Sequence, residues 1–345
     1  MMEQEECQPK DKQKKATVIA HPNIALVKYW GKRNKELILP FTNSLSVTLD
    51  TFFTKTTVCF SEEYPEDIVI LNSSTQKKTV QKIIQHVDLI WNYVFHKKRN
   101  LNVKIVSENN FPTSAGLASS SSGFAALTYA VLKALNIELF WTEISMLARQ
   151  GSGSACRSVF GGFVEWIAGK DSLGIDSYAV KIQGENFWND FKIIVVIVSD
   201  EQKLQSSRDA METSVLTSPL FLSWKLQCQR DVQDIKKALD IKAFSMLGKI
   251  AEDNCLMMHK VMESSSPPIT YRNKDTFAVM DFLNTLRNNG LECYFTIDAG
   301  PNVKLLTLQK NVEDIVLKLK TLHYVKNIVV CSVGKGVQAI KEDLF

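Results

Sequence analysis

The sequence predicts an α+β protein of two lobes. Three observations carry this. Strand and helix patterns are mixed without the strict βαβ alternation that a parallel sheet requires. The chain changes character near residues 185–200, from strand-rich to helix-rich. Its 345 residues, 45% of them hydrophobic, supply one large or two medium cores.

Residues 1–15 read as a disordered tail, dense in Lys, Glu and Gln and without aromatic or β-branched side chains. From Ala16, TVIAH, LSVTL, KTTVCF and DIVIL read as strands. Val80, Ile83, Ile84, Val87, Ile90, Trp91 and Val94 recur at helical spacing, which predicts a helix over 75–96. A strand over 101–106, a Pro/Ser/Gly segment and helices over 119–135 and 141–149 follow. Strands are predicted over 160–167, 178–182 and 192–198. Residues 203–264 carry three helical patterns, and Pro267-Pro268 breaks the chain. A helix over 276–288, strands over 292–297 and 302–308, a helix over 312–319 and a strand over 328–333 complete it. The reading therefore divides the chain into a tail (1–15), a first domain (16–190) and a second (191–345).

Composition narrows the function. A formal net charge of +4 gives no reason to expect a nucleic-acid or membrane partner. The start is polar where a secretory signal needs an apolar run, and the longest strongly apolar stretch, residues 193–198, is far too short to cross a bilayer. Seven scattered cysteines without a C-x-x-C pair point to inert thiols in a reducing cytosol. Five histidines without H-E-x-x-H argue against a zinc hydrolase.

Four segments concentrate polar chemistry. The first, residues 112–123 (PTSAGLASSSSG), joins a strand to a helix. Gly116 supplies backbone freedom, and the serines put hydroxyls and free N–H groups at a helix start, where the dipole favours anions. It equally reads as a helix cap in a small-residue loop. It lacks the lysine of a P-loop and the spacing of a dinucleotide site. The second, residues 22–33 (PNIALVKYWGKR), packs donors suited to phosphate and carboxylate, or forms a solvated basic turn. In the third, residues 151–157 (GSGSACR), tiny side chains let the backbone approach a ligand and Arg157 could clasp a carboxylate; alternatively it is a flexible turn. Cys156 has no histidine nearby and reads as inert. The fourth, residues 296–302 (TIDAGPN), ends a strand on a carboxylate before a Gly-Pro turn, which suits either a cleft or an ordinary turn.

The first segment resembles the ATP loop of the galactokinase, homoserine kinase, mevalonate kinase and phosphomevalonate kinase superfamily. Taken together, N-I-A-x-x-K-Y-W-G-K-R, S-L-S-V-T-L, N-N-F-P-x-x-A-G-L-A-S-S, G-S-G-S-A-C-R-S-x-x-G-G-F-V-E-W, D-A-G-P-N and a V-G-x-G near Val333 resemble the mevalonate diphosphate decarboxylase family over residues 16–337. The resemblance implies a two-lobed small-molecule-kinase fold with the active site in the cleft between lobes. It also implies a cytoplasmic homodimer that uses ATP and Mg²⁺ to convert mevalonate 5-diphosphate into isopentenyl diphosphate, ADP, phosphate and carbon dioxide. By the same resemblance Asp298 orients the 3-hydroxyl, Arg157 holds the substrate carboxylate and Lys28 lies near the transferred phosphoryl group. Tyr29, Lys32 and Ser152 bind the diphosphate, while Asn23 and Ser154 neighbour the reacting centre. Ser114, Gly116, Leu117, Ser119 and Ser120 form the ATP loop, with Mg²⁺ at Ser120. An ordinary aspartate, with a pKa of about 4, is a weak base toward an alcohol, so orientation is expected to outweigh proton abstraction at Asp298. Two departures stand out: Ser121 and Ser122 replace small apolar residues, and the chain differs around Cys255 and Met257, on the expected substrate-side wall.

Overall fold

The computed structural model describes residues 14–72, 77–111, 119–201 and 205–345. The first half runs β1 (Lys14–Ala20), β2 (Asn23–Val27), β3 (Lys32–Asn34), β4 (Leu39–Pro40), β5 (Ser44–Thr48), β6 (Thr54–Ser61), β7 (Ile68–Leu71), α1 (Lys77–Phe95), β8 (Asn102–Asn109), α2 (Ser119–Ala134), α3 (Trp141–Gly151), α4 (Ala155–Ser158), β9 (Phe163–Trp166) and β10 (Ala179–Gln183). The second runs β11 (Phe191–Ile197), α5 (Ser207–Thr217), α6 (Phe221–Asp240), α7 (Phe244–Glu263), α8 (Lys274–Asn288), β12 (Cys293–Ile297), β13 (Val303–Leu308), α9 (Val312–Leu319), β14 (Asn327–Cys331) and β15 (Gln338–Ile340). Residues 1–13 of the expected tail lie outside the described residues, and β1 already includes Lys14 and Lys15.

The strands form sheets of order β15-β1-β6-β8-β7, β10-β9-β5-β2 and β12-β13-β11-β14, beside the short pair β3-β4. The apolar stripe of α1 (Val87, Ile90, Trp91) meets Phe60, Ile105 and Leu127 in one core. In the same core α2 presents Ala125, Ala126 and Ala130, small side chains that let it lie close to the first sheet. The strongly apolar run of β11 is explained by burial on both faces. Ile193 and Val195 pack with Ile24, Leu45, Val47, Trp224 and Leu247. Ile194 and Val196 pack the other way, with Val279, Leu283, Leu305 and Ile315. The first of these two cores draws on both halves of the chain, and β2, an end strand of the second sheet, packs against helices α6 and α7.

Two late segments return to the first half. β15 pairs antiparallel with β1, Val18 opposite Ala339. Just before it, the Gly334 N–H donates to the Thr48 carbonyl at 2.8 Å and the Gly334 carbonyl accepts from Gly162 N–H at 2.9 Å. A Cβ on Gly334 would lie 2.1 Å from the Leu49 carbonyl oxygen, so only glycine permits this approach.

Candidate active site

The segment 22–33, which reads either as a cluster of anion-binding donors or as a solvated basic turn, begins as strand. Asn23–Val27 is buried throughout, and its apolar run carries Lys28 to the strand end. On the other side, β12 ends at Ile297 and delivers Asp298 to the same place. The turn after it is held firmly: Thr276 Oγ1 donates to the Pro301 carbonyl at 2.7 Å, and Asn302 Oδ1 accepts from the backbone of Val198 and Ser199 at 2.8 and 3.0 Å. Lys28 Nζ donates to Asp298 Oδ1 at 2.6 Å, with the lysine almost fully buried and the aspartate side chain partly open. Buried Lys304 stands 3.8 Å from Asp298 Oδ2. Both carboxylate oxygens thus face ammonium groups, which fixes the group's orientation.

Arg157 sits on the short helix α4, and the surrounding small residues let its side chain reach under β2 and β5. Its Nε donates to Asn23 Oδ1 at 3.1 Å and Ser46 Oγ at 3.0 Å, and Nη1 donates to Ser44 Oγ. Burial pulls its pKa below the usual arginine value. Asn23 Nδ2 in turn donates to Ser158 Oγ at 2.8 Å and the Ser154 carbonyl at 3.0 Å. These neutral partners hold the guanidinium in place without neutralising its charge. Cys156 beside it is fully buried, donates to the Gly153 carbonyl at 3.0 Å, and is pushed up to about 12 by burial, as an inert thiol should be.

A cleft with ≈ 1020 Å³ of empty space joins these groups. Lys28, Lys32, Lys82, Arg157 and Arg208 line it, against Asp298 as its one lining carboxylate among the described residues. Tyr29, packed against Trp166 at 4.6 Å between ring centres, lines it with a buried hydroxyl that has no hydrogen-bond partner among the described residues. Ser152 Oγ lies 3.1 Å from Ser120 Oγ at the start of α2. Ser120 and Lys82 also line a second cavity, ≈ 1140 Å³, walled by Thr56, Ile83, Ile105, Ser119, Phe124 and Leu127. Burial, Arg208 and Lys32 together bring Lys82 down to about 7.

Residues 20–179 match the family described as diphosphomevalonate decarboxylase-like N-terminal domain, and residues 193–341 match the mevalonate 5-diphosphate decarboxylase C-terminal domain. The diphosphomevalonate decarboxylase of Saccharomyces cerevisiae is 38% identical over 313 residues, covering 86% of this chain and 78% of that protein. The chain belongs to the diphosphomevalonate decarboxylase family. Its fold is that of solved members. The Staphylococcus aureus mevalonate diphosphate decarboxylase aligns with a TM-score of 0.90 at 38% identity, covering 96% of this chain and 99% of that one. A complex of MDDEF with MVAPP, AMPPCP and magnesium aligns at 0.88 and 39%, covering 96% and 100%.

Against this family frame, the structure gathers Asn23, Lys28, Tyr29, Lys32, Ser120, Ser152, Ser154, Arg157 and Asp298 around one cleft, with Ser119 in the adjoining cavity. Ser114, Gly116 and Leu117 lie outside the described residues. The family departures resolve simply. Ser121 and Ser122 are fully buried on the inner face of α2, Ser122 hydrogen bonded to Thr54 at 2.6 Å, so neither is open to the cleft. Cys255 is buried behind Asp298, and Met258 is the residue of that stretch that lines the cleft. Neither Lys82 nor Arg208 falls in a motif that marks it from sequence. Each is an ordinary charge on a helix, and only packing brings it to the cleft.

Proposed function

We propose that Asp298, Lys28 and Arg157 carry out the family's reaction in this chain, on mevalonate 5-diphosphate in the cleft and ATP in the adjoining cavity. The chain is an ATP-dependent decarboxylase of that substrate. The observation that carries the assignment of roles is the meeting of five cationic side chains and Asp298 in one cleft, with Lys28 and Asp298 2.6 Å apart.

The tertiary 3-hydroxyl is a poor leaving group until it takes the γ-phosphoryl of ATP. The C–O bond then breaks and phosphate leaves with the electron pair. The C–C bond to the carboxylate breaks next, and its electrons form the alkene as carbon dioxide departs. Asp298, held by its ammonium neighbours, aims the hydroxyl and takes its proton as the new P–O bond forms and ADP leaves, and Lys28 meets the negative charge of the transferred group. Arg157 holds the carboxylate until phosphate has gone. Tyr29, Lys32 and Ser152, with Arg208, take the diphosphate. Asn23 and Ser154 fix the reacting centre, Asn23 through its bond to Arg157. Ser119 and Ser120 hold ATP phosphates at the start of α2, and Ser114, Gly116 and Leu117, which precede them in the sequence, share that role.

Magnesium, when bound with ATP, neutralises charge across the phosphates. No group of three His, Cys, Asp or Glu side chains among the described residues forms a metal cage. That fits an ion carried mainly by phosphate and water, with the Ser120 hydroxyl as the protein's contact.

The chain works as two lobes, 16–190 and 191–345, with β15 returned to the first. It acts as a homodimer in a reducing cytosol, a setting supported by the six described cysteines, all buried and free. Among the described residues no helix is long and apolar enough to cross a membrane.

The test is the purified protein with ATP, magnesium and mevalonate carrying zero, one or two phosphates, followed for ADP and carbon dioxide. Equal release of both with the diphosphate alone is the expected result. ADP without carbon dioxide, or preference for a less phosphorylated substrate, overturns the reading.

A further inference from the structure

Lys28 and Asp298 come from strands that do not pair, β2 and β12, 270 residues apart in sequence. Something must set their separation, and one turn of α7 touches both. Asn254, fully buried, accepts the Lys28 backbone N–H on Oδ1 at 2.8 Å. The next residue, Cys255, accepts the Ile297 N–H at 3.0 Å and donates its thiol to the Ile297 carbonyl at 3.4 Å, immediately before Asp298. One turn earlier Glu252 accepts the Phe295 N–H at 3.1 Å while paired with Arg287. Thr296 Oγ1 reaches the Ala25 carbonyl at 3.4 Å, so the two strands also touch directly.

Asn254 is itself held. Its Nδ2 donates to Asp231 Oδ2 of α6 at 2.7 Å and to Cys228 Sγ at 3.3 Å. Gln227 donates to the other oxygen of Asp231. The amide can therefore present only its carbonyl to Lys28. A buried polar chain of this kind, from α6 through α7 to β2, holds one arrangement because each buried member depends on the others for its hydrogen bonds. Its value is geometric: it fixes where the Lys28 side chain begins.

We infer that Asn254 is a positioning residue for the Lys28–Asp298 pair, acting through the Lys28 backbone without touching substrate. The inference rests on the reading that this pair works at the reacting centre.

The experiment compares Asn254→Leu and Asn254→Asp with the parent enzyme. Leucine matches the volume and removes both hydrogen bonds. It is expected to lower kcat about 10- to 100-fold per folded molecule, with KM for both substrates changed less than about threefold. Aspartate keeps the acceptor, and while it shares a proton with Asp231 it also keeps the donor. Its activity should approach the parent's at low pH and fall as pH rises and the shared proton leaves. Burial, Asp234 and Asp253 all raise Asp231, so they hold the shared proton longer and move this limb to higher pH. A purely structural role would lower the folded fraction without creating this pH limb. If Asn254→Leu folds poorly, the aspartate variant alone decides. Two further changes complete a cycle: Asn254→Leu should add no loss of kcat in a Lys28→Met background.

An unchanged kcat in a folded Asn254→Leu, full additivity with Lys28→Met, or an aspartate variant whose pH profile matches the parent each overturns the inference. An inactive parent enzyme instead overturns the functional reading, so the two failures are distinguishable.

Discussion

Raising the pH from 7 to 9 should strip the cleft of much of its hold on its anionic ligands, and the loss should trace to Lys82. This side chain stands where the two cavities meet, half-buried, with its ammonium 4.2 Å from the centre of the Phe124 ring. Burial, Arg208 and Lys32 all disfavour its charge and bring it down to about 7. A bound phosphate favours the charged form and raises that value, so binding takes up a proton at any pH between the two. At pH 8 the free side chain is roughly one-tenth protonated and the phosphate-bound one nearly full, an uptake of about 0.9 proton per site. Between pH 7 and 9 the same linkage weakens apparent affinity about 50-fold. Phosphate groups lose their last proton near pH 6, so they contribute little at pH 8. The assay is calorimetric titration of magnesium AMPPCP and mevalonate 5-diphosphate at pH 8 in buffers of different ionisation heat. Lys82→Met should bind more weakly and take up a smaller fraction of a proton, the remainder coming from Lys32, which burial also lowers. Heats that do not depend on the buffer, or an uptake unchanged in Lys82→Met, refute the reasoning.

Three further outcomes are expected. Asp298→Ala should bind the ATP analogue within about threefold of the parent but release carbon dioxide about 10³-fold more slowly, since the group that orients the hydroxyl is gone; normal turnover would remove Asp298 from the mechanism. Arg157→Leu should slow carbon dioxide release about 10²- to 10³-fold, and by removing the donor to Asn23 Oδ1, Ser44 and Ser46 should cost about 1–3 kcal/mol in urea unfolding. Unchanged kinetics there exclude the carboxylate clasp. Gly153→Ala would bring a Cβ to 2.9 Å from the Tyr29 ring and hydroxyl and 3.0 Å from Trp166. It should raise KM for the diphosphate roughly tenfold with less effect on kcat, and an unchanged KM would show that Tyr29 can yield without cost.

Most regular elements were legible because their apolar spacing is plain: α1 and the three helices between residues 207 and 263 stand where helical patterns are read. β2 escaped because NIALV is a continuous buried run rather than an alternating one, followed at once by lysine and aromatic residues that read as a turn. β15 is too short for any period, and α4 hides among glycines and serines. In the cleft, residues within long motifs could be singled out from sequence, since Asn23, Lys28, Arg157 and Asp298 sit in blocks with a family resemblance. Lys82, Arg208 and Asn254 lie in helices whose local pattern marks nothing. Their positions follow from helix packing, which no short window of sequence contains.

The pairing of β15 with β1 has a consequence for synthesis. During synthesis β1 can pair with β6 long before Gln338–Ile340 emerge, and until then its other edge is uncovered. A chain cut before Gln338 would leave that edge open to a strand from another copy.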